Sequence, residues 1–327
     1  MNGPTGMVYN PGTALGEKWY NHFFVAEFVG SPANSPIHAF TLKPKGASFE
    51  LDKTEVVAKG LLPTGMDFGP DGALYFSDWI DGWRPKNKGR IWKLDVPTEA
   101  QSAIRKETQK LIAADFAKNT APELTKRLSH PDMRVRQKAQ FELVKRGDKG
   151  FNSLLAVARQ NKNQLARIHA LWGIGQLSRQ KPDYAKSFLP FLEDKDAEIV
   201  AQAAKMIGDV RYQGATDALI KLLKHPSPRV QLYATEALGR TQAEKGIPGI
   251  ADMLIRNNDQ DAWLRHAGAI ALGRIGKAES LANFSKHESK ALRIAAVVAL
   301  RRMKSPLVAR FLKDQDEFVV AEAPGHQ

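Results

Sequence analysis

Apolar residues along the later two-thirds of the chain recur at i, i+4 and i+8. Six stretches carry the pattern: 134–147, 164–177, 198–210, 229–241, 263–276 and 291–304. A small residue stands near the middle of each: Ala139, Ala170, Ala203, Ala234, Gly268 and Ala296, at intervals of 31, 33, 31, 34 and 28 residues. Four positions earlier come Val135, Ala166, Ile199, Val230, Leu264 and Leu292. Four positions later come Leu143, Ile174, Ile207, Leu238, Leu272 and Leu300. This spacing puts each trio on one helical face and predicts helices buried along that stripe. Three residues before each first anchor stands a helix-capping type: Asp132, Asn163, Asp196, Ser227, Asp261 and Ser289, with Asp316 before Val319 as a seventh. Their side chains are expected to accept from the free N–H groups of the first turn. Short turns precede the caps, and shorter apolar helices are expected before the turns, at 124–128, 188–192, 218–223 and 250–255. The unit is therefore helix, turn, capped helix.

This unit resembles the HEAT repeat. The resemblance rests on the small-residue core, the Asp at the turn, and an Arg just after the first anchor, here Arg136, Arg167, Arg265 and Arg293, with Val200 and Gln231 breaking the column. It implies an α-α superhelix of about six repeats and a truncated seventh, which displays a surface for a protein partner.

The first 97 residues follow another pattern. Short aromatic and β-branched runs read as strands, and they repeat. Pro4-Thr5-Gly6-Met7 returns as Pro63-Thr64-Gly65-Met66; the runs at 21–28 and 37–42 return at 72–79 and 91–96. Gly69-Pro70-Asp71-Gly72 reads as a turn between two strands. A repeating multi-strand unit suggests propeller blades, of which about two are present, whereas a closed propeller needs roughly four to eight. The run 63–79 followed by Gly89-Arg90-Ile91-Trp92-Lys93-Leu94 resembles a blade of the sorbosone and glucose dehydrogenase propellers, which use pyrroloquinoline quinone (PQQ). The order of blade then HEAT array is similar to large exported bacterial proteins described as membrane-bound dehydrogenases, which end in a c-type haem domain. The expected fold class is thus β then α: partial propeller blades at 1–97, a linker or capping helix at 98–121, and a HEAT-like solenoid at 122–327. The resemblance implies a fragment of a quinone-dependent sugar dehydrogenase-like protein, periplasmic or secreted, with the HEAT part as docking scaffold. A non-enzymatic interaction scaffold is the alternative, and a HEAT-type nucleic-acid-binding protein a third, less favoured one. PQQ and haem are expected only in a fuller parent and no cofactor within this chain, which alone should not turn over sugars.

Charge sharpens the division. The net charge is +13, yet residues 1–97 hold ten basic and ten acidic side chains, so the excess lies wholly beyond them. The Arg column and a second column, Lys145, Arg240, Arg274 and Arg302, are nine residues apart and hence on opposite sides of each helix. That geometry argues against a nucleic-acid face. The absence of cysteine excludes thiolate chemistry and a C-x-x-C-H haem site within these residues. No apolar run reaches the length of a membrane span, and Met1 to Gly16 shows no signal-peptide pattern.

Candidate ligand-contacting residues follow the strongest strand: Asp78, Trp79, Trp83 and Arg84, with Asp81 beside them. In a propeller such strand ends can line the central opening; alternatively Trp79 packs between blades and the charges solvate a loop. No metal site is expected. His130, His225 and His287 occupy one turn position in repeats too far apart to share an ion, and Asp67 and Asp71 belong to turn chemistry.

Overall fold

A computed structural model describes residues 3–80 and 87–323. It consists of antiparallel sheets followed by a helical repeat solenoid, and its contacts divide it into two compact units. One comprises residues 1–44 and 49–145; the other comprises 45–48 and 146–327.

In the first unit, β1 (Gly3–Tyr9), β2 (Phe23–Phe28), β3 (Ile37–Lys45) and β4 (Ser48–Ala58) form one meander in the order β1-β2-β3-β4. The strands β5 (Pro63–Phe68), β6 (Leu74–Asp78) and β7 (Arg90–Leu94) form a second, in the order β5-β6-β7. The repeat seen in the sequence is a repeat of structure. Both opening strands carry a register shift at the same motif position, between Pro4 and Gly6 and between Pro63 and Gly65. There the two strands approach closely: a Cβ on Gly6 would lie 3.1 Å from Gly65 Cα, and Thr5 Oγ1 donates to Pro63 O at 2.8 Å. Alternate residues turn inward, so that Phe24, Ile37, Phe68, Leu74 and Phe76 form one core with Ala14 and Leu15. The two sheets do not close into a ring.

Three helices complete this unit: α1 (Ala103–Ala113), α2 (Ala121–Arg127) and α3 (Met133–Lys145). The first and third are joined to the sheets by polar contacts. Arg105 donates to Asp71 O at 2.8 Å and grips Asp95 with two bonds of 2.7 and 3.0 Å. Thr13 Oγ1 donates to Asp132 at 2.7 Å, and Arg134 donates to the carbonyls of Phe68 and Gly69.

The second unit holds α4 (Asp148–Gln160), α5 (Gln164–Ser178), α6 (Ala197–Asp209), α7 (Thr216–Leu222), α8 (Pro228–Arg240), α9 (Ile247–Asn257), α10 (Ala262–Ile275), α11 (Ala278–Ala282), α12 (Lys290–Arg302) and α13 (Glu317–Glu322). The expected apolar columns of α5, α6, α8, α10 and α12 are buried throughout. Asn163, Asp196, Asp261, Ser289 and Asp316 cap their helices by side chain, as Asp132 does for Arg134 N in the first unit. Ser227 does not. Pro228 follows it without an N–H, and Val230 N donates to the Ser227 carbonyl instead. The helix expected around 188–192 is a 3-10 helix over Pro182–Glu193, with Pro190 inside it denying an α-helical bond.

Candidate functional site

The turns before the capped helices are built alike. At every cap but Asp261, whose N–H donates to Asn257 Oδ1 at 3.0 Å, the residue two before accepts from the cap's own N–H: His130, His225 and His287 through Nδ1, each at 3.0 Å. Asn161, Asp194 and Asp314 do the same through Oδ1, at 2.8, 3.0 and 2.9 Å. The histidine column thus shapes turns. Among the described residues no His, Asp and Glu side chains gather as a metal-ligand set.

The Arg column is also largely internal. Arg136 is buried and donates to the carbonyls of His130 and Pro131. Arg293 donates to the carbonyls of His287 and Glu288 and pairs with Asp314 of the following turn at 2.8 and 3.1 Å. Arg167 pairs in the same way with Asp194. Gln231, which interrupts the column, takes over the carbonyl contact by donating to His225 O. Arg265 differs. The turn that follows it carries His287 where those after Arg167 and Arg293 carry aspartate, and Arg265 is exposed. Three of these four arginines therefore add nothing to a basic surface. In the opposite column Arg240 is paired with Asp209 at 3.2 Å.

What the array does expose is one side of the capped helices. Two positions after the cap stand Leu165, Trp263 and Phe318, which are 46%, 55% and 60% exposed. In the repeats between them the same position holds Glu198 and Arg229, which pair at 2.7 Å, and Ala291, which is buried. Behind this row runs a bonded network. The Trp172 indole donates to Gln202 at 2.9 Å, and Gln202 donates to Glu198 at 2.7 Å. Arg229 lies over the Tyr233 ring. Large side chains on this face are thus held in fixed positions across α5, α6 and α8. Towards the last helices the face deepens into a groove of about 520 Å³ between α10, α12 and α13.

Of the candidates in the strand-rich part, Asp78 is buried, 6% exposed. Its Oδ1 accepts from Leu62 N at 2.9 Å and Ile80 N at 3.0 Å, and its Oδ2 accepts from the Trp92 indole at 2.9 Å. Burial pushes this carboxyl up, but the Trp92 indole, the two amides and Arg90 outweigh it and hold it below the usual carboxylate range. Trp79 is 40% exposed. Trp83, Arg84 and Asp81 lie outside the described residues. Asp67 and Asp71 serve their turns: Asp67 accepts from Phe68 N, and Asp71 from Ala73 N and the Tyr75 hydroxyl.

With this geometry in view, comparison with known proteins is specific about architecture. The family model described as HEAT repeats matches residues 151–225, 185–260 and 216–286. The helical array is HEAT-like. An engineered protein of known structure is 17% identical over 57% of this chain and 97% of that chain, with a TM-score of 0.38. The complex of CpcE and CpcF of phycocyanin lyase from Nostoc sp. PCC7120 is 20% identical over 64% of this chain and 88% of that chain, with a TM-score of 0.40. A designed armadillo repeat protein in complex with the peptide (KR)4 is 16% identical over 57% of this chain and 100% of that chain, with a TM-score of 0.36. No curated protein matches. No described helix is long and apolar enough to cross a membrane.

Proposed function

We propose that this chain is a docking scaffold that holds a partner protein on the capped-helix face of its HEAT-like array. The observation that carries the reading is the exposed row of Leu165, Trp263 and Phe318, at one repeat position. Large apolar side chains in register on one face, backed by a bonded network, are what a protein interface supplies as anchors. The network fixes rotamers before binding, which lowers the entropy of association. A photo-cross-linking residue placed at Tyr233, on this face, is compared in the full chain with one at exposed Asp217 of α7, a helix that precedes its turn. Partner adducts are expected from position 233. Adducts from position 217 alone would overturn the reading.

A second reading concerns the strand-rich part. The shared bulge and strand order of its two meanders support blades of a propeller resembling quinone-dependent sugar dehydrogenases. In such a blade Asp78 would hold the strand end, because its oxygens already accept three protein donors. The exposed ring of Trp79 would be the side chain that meets a sugar or PQQ. Titration of the full chain with PQQ and with aldoses, read by tryptophan fluorescence and repeated on Trp79→Phe, tests this. A response that Trp79→Phe leaves unchanged would remove Trp79 from the site, and no response would remove a ligand site formed by these residues alone.

A further inference from the structure

The groove between α10, α12 and α13 combines three features. Its floor is apolar: Ala269, Ile294, Ala295 and Val298. Exposed Phe318 lines it, and exposed Trp263 belongs to the first turn of the same α10. It also contains both a donor group and an acceptor atom without protein partners. The Arg265 guanidinium has no hydrogen bond or ion pair among the described residues, although its column mates Arg167 and Arg293 each hold an aspartate of the next turn. Asp259 has a buried Oδ1 that receives no donor. The remaining charges of the groove are matched: Lys290 by Asp316 at 2.8 Å and Arg301 by Glu322 at 2.5 Å.

This complement fits a polypeptide better than other ligands. A guanidinium offers five donors in a planar fork suited to a carboxylate. An extended main chain offers carbonyls to the same fork and N–H groups to a carboxylate oxygen. The carboxylates of Asp259 and Glu322 repel a polyanion, so nucleic acid is disfavoured, whereas a single carboxylate flanked by apolar side chains meets Arg265 and the floor together. Resting on the docking reading above, we propose that this groove takes an extended segment of a partner protein that carries a carboxylate for Arg265 between apolar side chains for Trp263, Phe318 and the floor.

The test uses the full chain and three fluorescein-labelled peptides in which leucine alternates with aspartate, asparagine or lysine. Anisotropy is expected to rank aspartate first, about tenfold tighter than asparagine, the worth of one charge-assisted contact. Arg265→Gln should erase that preference, and Trp263→Ala should weaken the aspartate and asparagine peptides alike. Both side chains are exposed, so circular dichroism melts should stay unchanged. An aspartate preference that survives Arg265→Gln, a lysine peptide bound best, or no binding of any peptide would each overturn the proposal. The docking reading fails separately. It survives a lysine preference that Trp263→Ala abolishes, and it falls if binding ignores both Trp263→Ala and Phe318→Ala while the cross-link from position 233 is also absent.

Discussion

Asp78 gathers three donors that have no other partner among the described residues, the amides of Leu62 and Ile80 and the indole of Trp92. Asp78→Ala would leave them unpaired, the Leu62 amide fully buried, and a loss of about 1–3 kcal/mol is expected in urea melts. Asp78→Asn keeps the shape but not the charge. Because the folded carboxyl titrates below its unfolded value of about 3.9, its contribution is complete above that value. It is lost as pH falls through the folded pKa. Melts of the Asn variant should therefore lose part of the wild type's acid dependence below about pH 4; identical acid limbs would show that the charge contributes nothing. Arg293 and Asp314 form the helical counterpart, with side chains only 4% and 2% exposed. Removing one partner strands the other, so Arg293→Ala should cost about 3–5 kcal/mol. Arg265→Ala, at the same repeat position but exposed, should be nearly silent in stability. Equal losses would mean that the column acts through helix propensity rather than through its aspartates.

Between successive capped helices the contact depends on glycine. A Cβ on Gly239 would lie 2.7 Å from Ala271 Cα, and one on Gly208 would lie 2.8 Å from Ala237 Cα. A Cβ on Gly175 would instead meet the sulfur of Met206, also at 2.7 Å. Backbone cannot step aside as a flexible thioether can. Gly175→Ala should therefore keep most of the roughly 1 kcal/mol that alanine gains over glycine in a helix. Gly239→Ala should lose about 1–3 kcal/mol to overpacking. Thermal melts of the two single variants decide it, and a stabilised Gly239→Ala would show that α8 and α10 can separate freely. The difference marks what sequence pattern reveals. The columns at i, i+4 and i+8 and most of the caps were legible because they repeat within one helix. The paired meanders were legible because Pro-Thr-Gly-Met recurs with its bulge. The pairing of Arg293 with Asp314 joins residues 21 apart, and that of Arg167 with Asp194 joins residues 27 apart. Such partners become visible only once the repeats are stacked. The 3-10 helix over Pro182–Glu193 was signalled by Pro190, but the apolar run around it reads equally well as α-helix. The groove at Arg265 was hidden for a related reason: the column of like arginines conceals which one is left exposed without a partner.

On the scale of the whole molecule, composition changes near residue 97, but the contacts change near residue 145. The helices α1, α2 and α3 count with the sheets. In α1 the buried residues are Arg105 and Thr108, with no apolar side chain among them. Its hold on the sheets is the Arg105 grip on Asp71 O and Asp95, and its C-terminal end adds the Ile112 carbonyl, which accepts from Lys138 of α3 at 2.8 Å. An isolated helix of that length is marginal in water, so cutting the chain at residue 98 should release it. The same cut removes the Phe68 and Gly69 carbonyls from Arg134 and the Thr13 hydroxyl from Asp132. The first turn of α3 should loosen with it. The repeats of the second unit bury their columns mainly against neighbouring repeats and should not need the sheets. Amide hydrogen exchange on a chain of residues 98–327, compared with the full chain, separates these expectations. Protection should persist across α5 to α12 and fall by orders of magnitude across 103–145. A second chain of residues 146–327 should melt cooperatively with a helical spectrum. If residues 103–145 stay as protected without the sheets as with them, the polar clamp is dispensable. The helical array would then begin as an independent body at α1, where the composition changes, rather than at α4, where the contacts do.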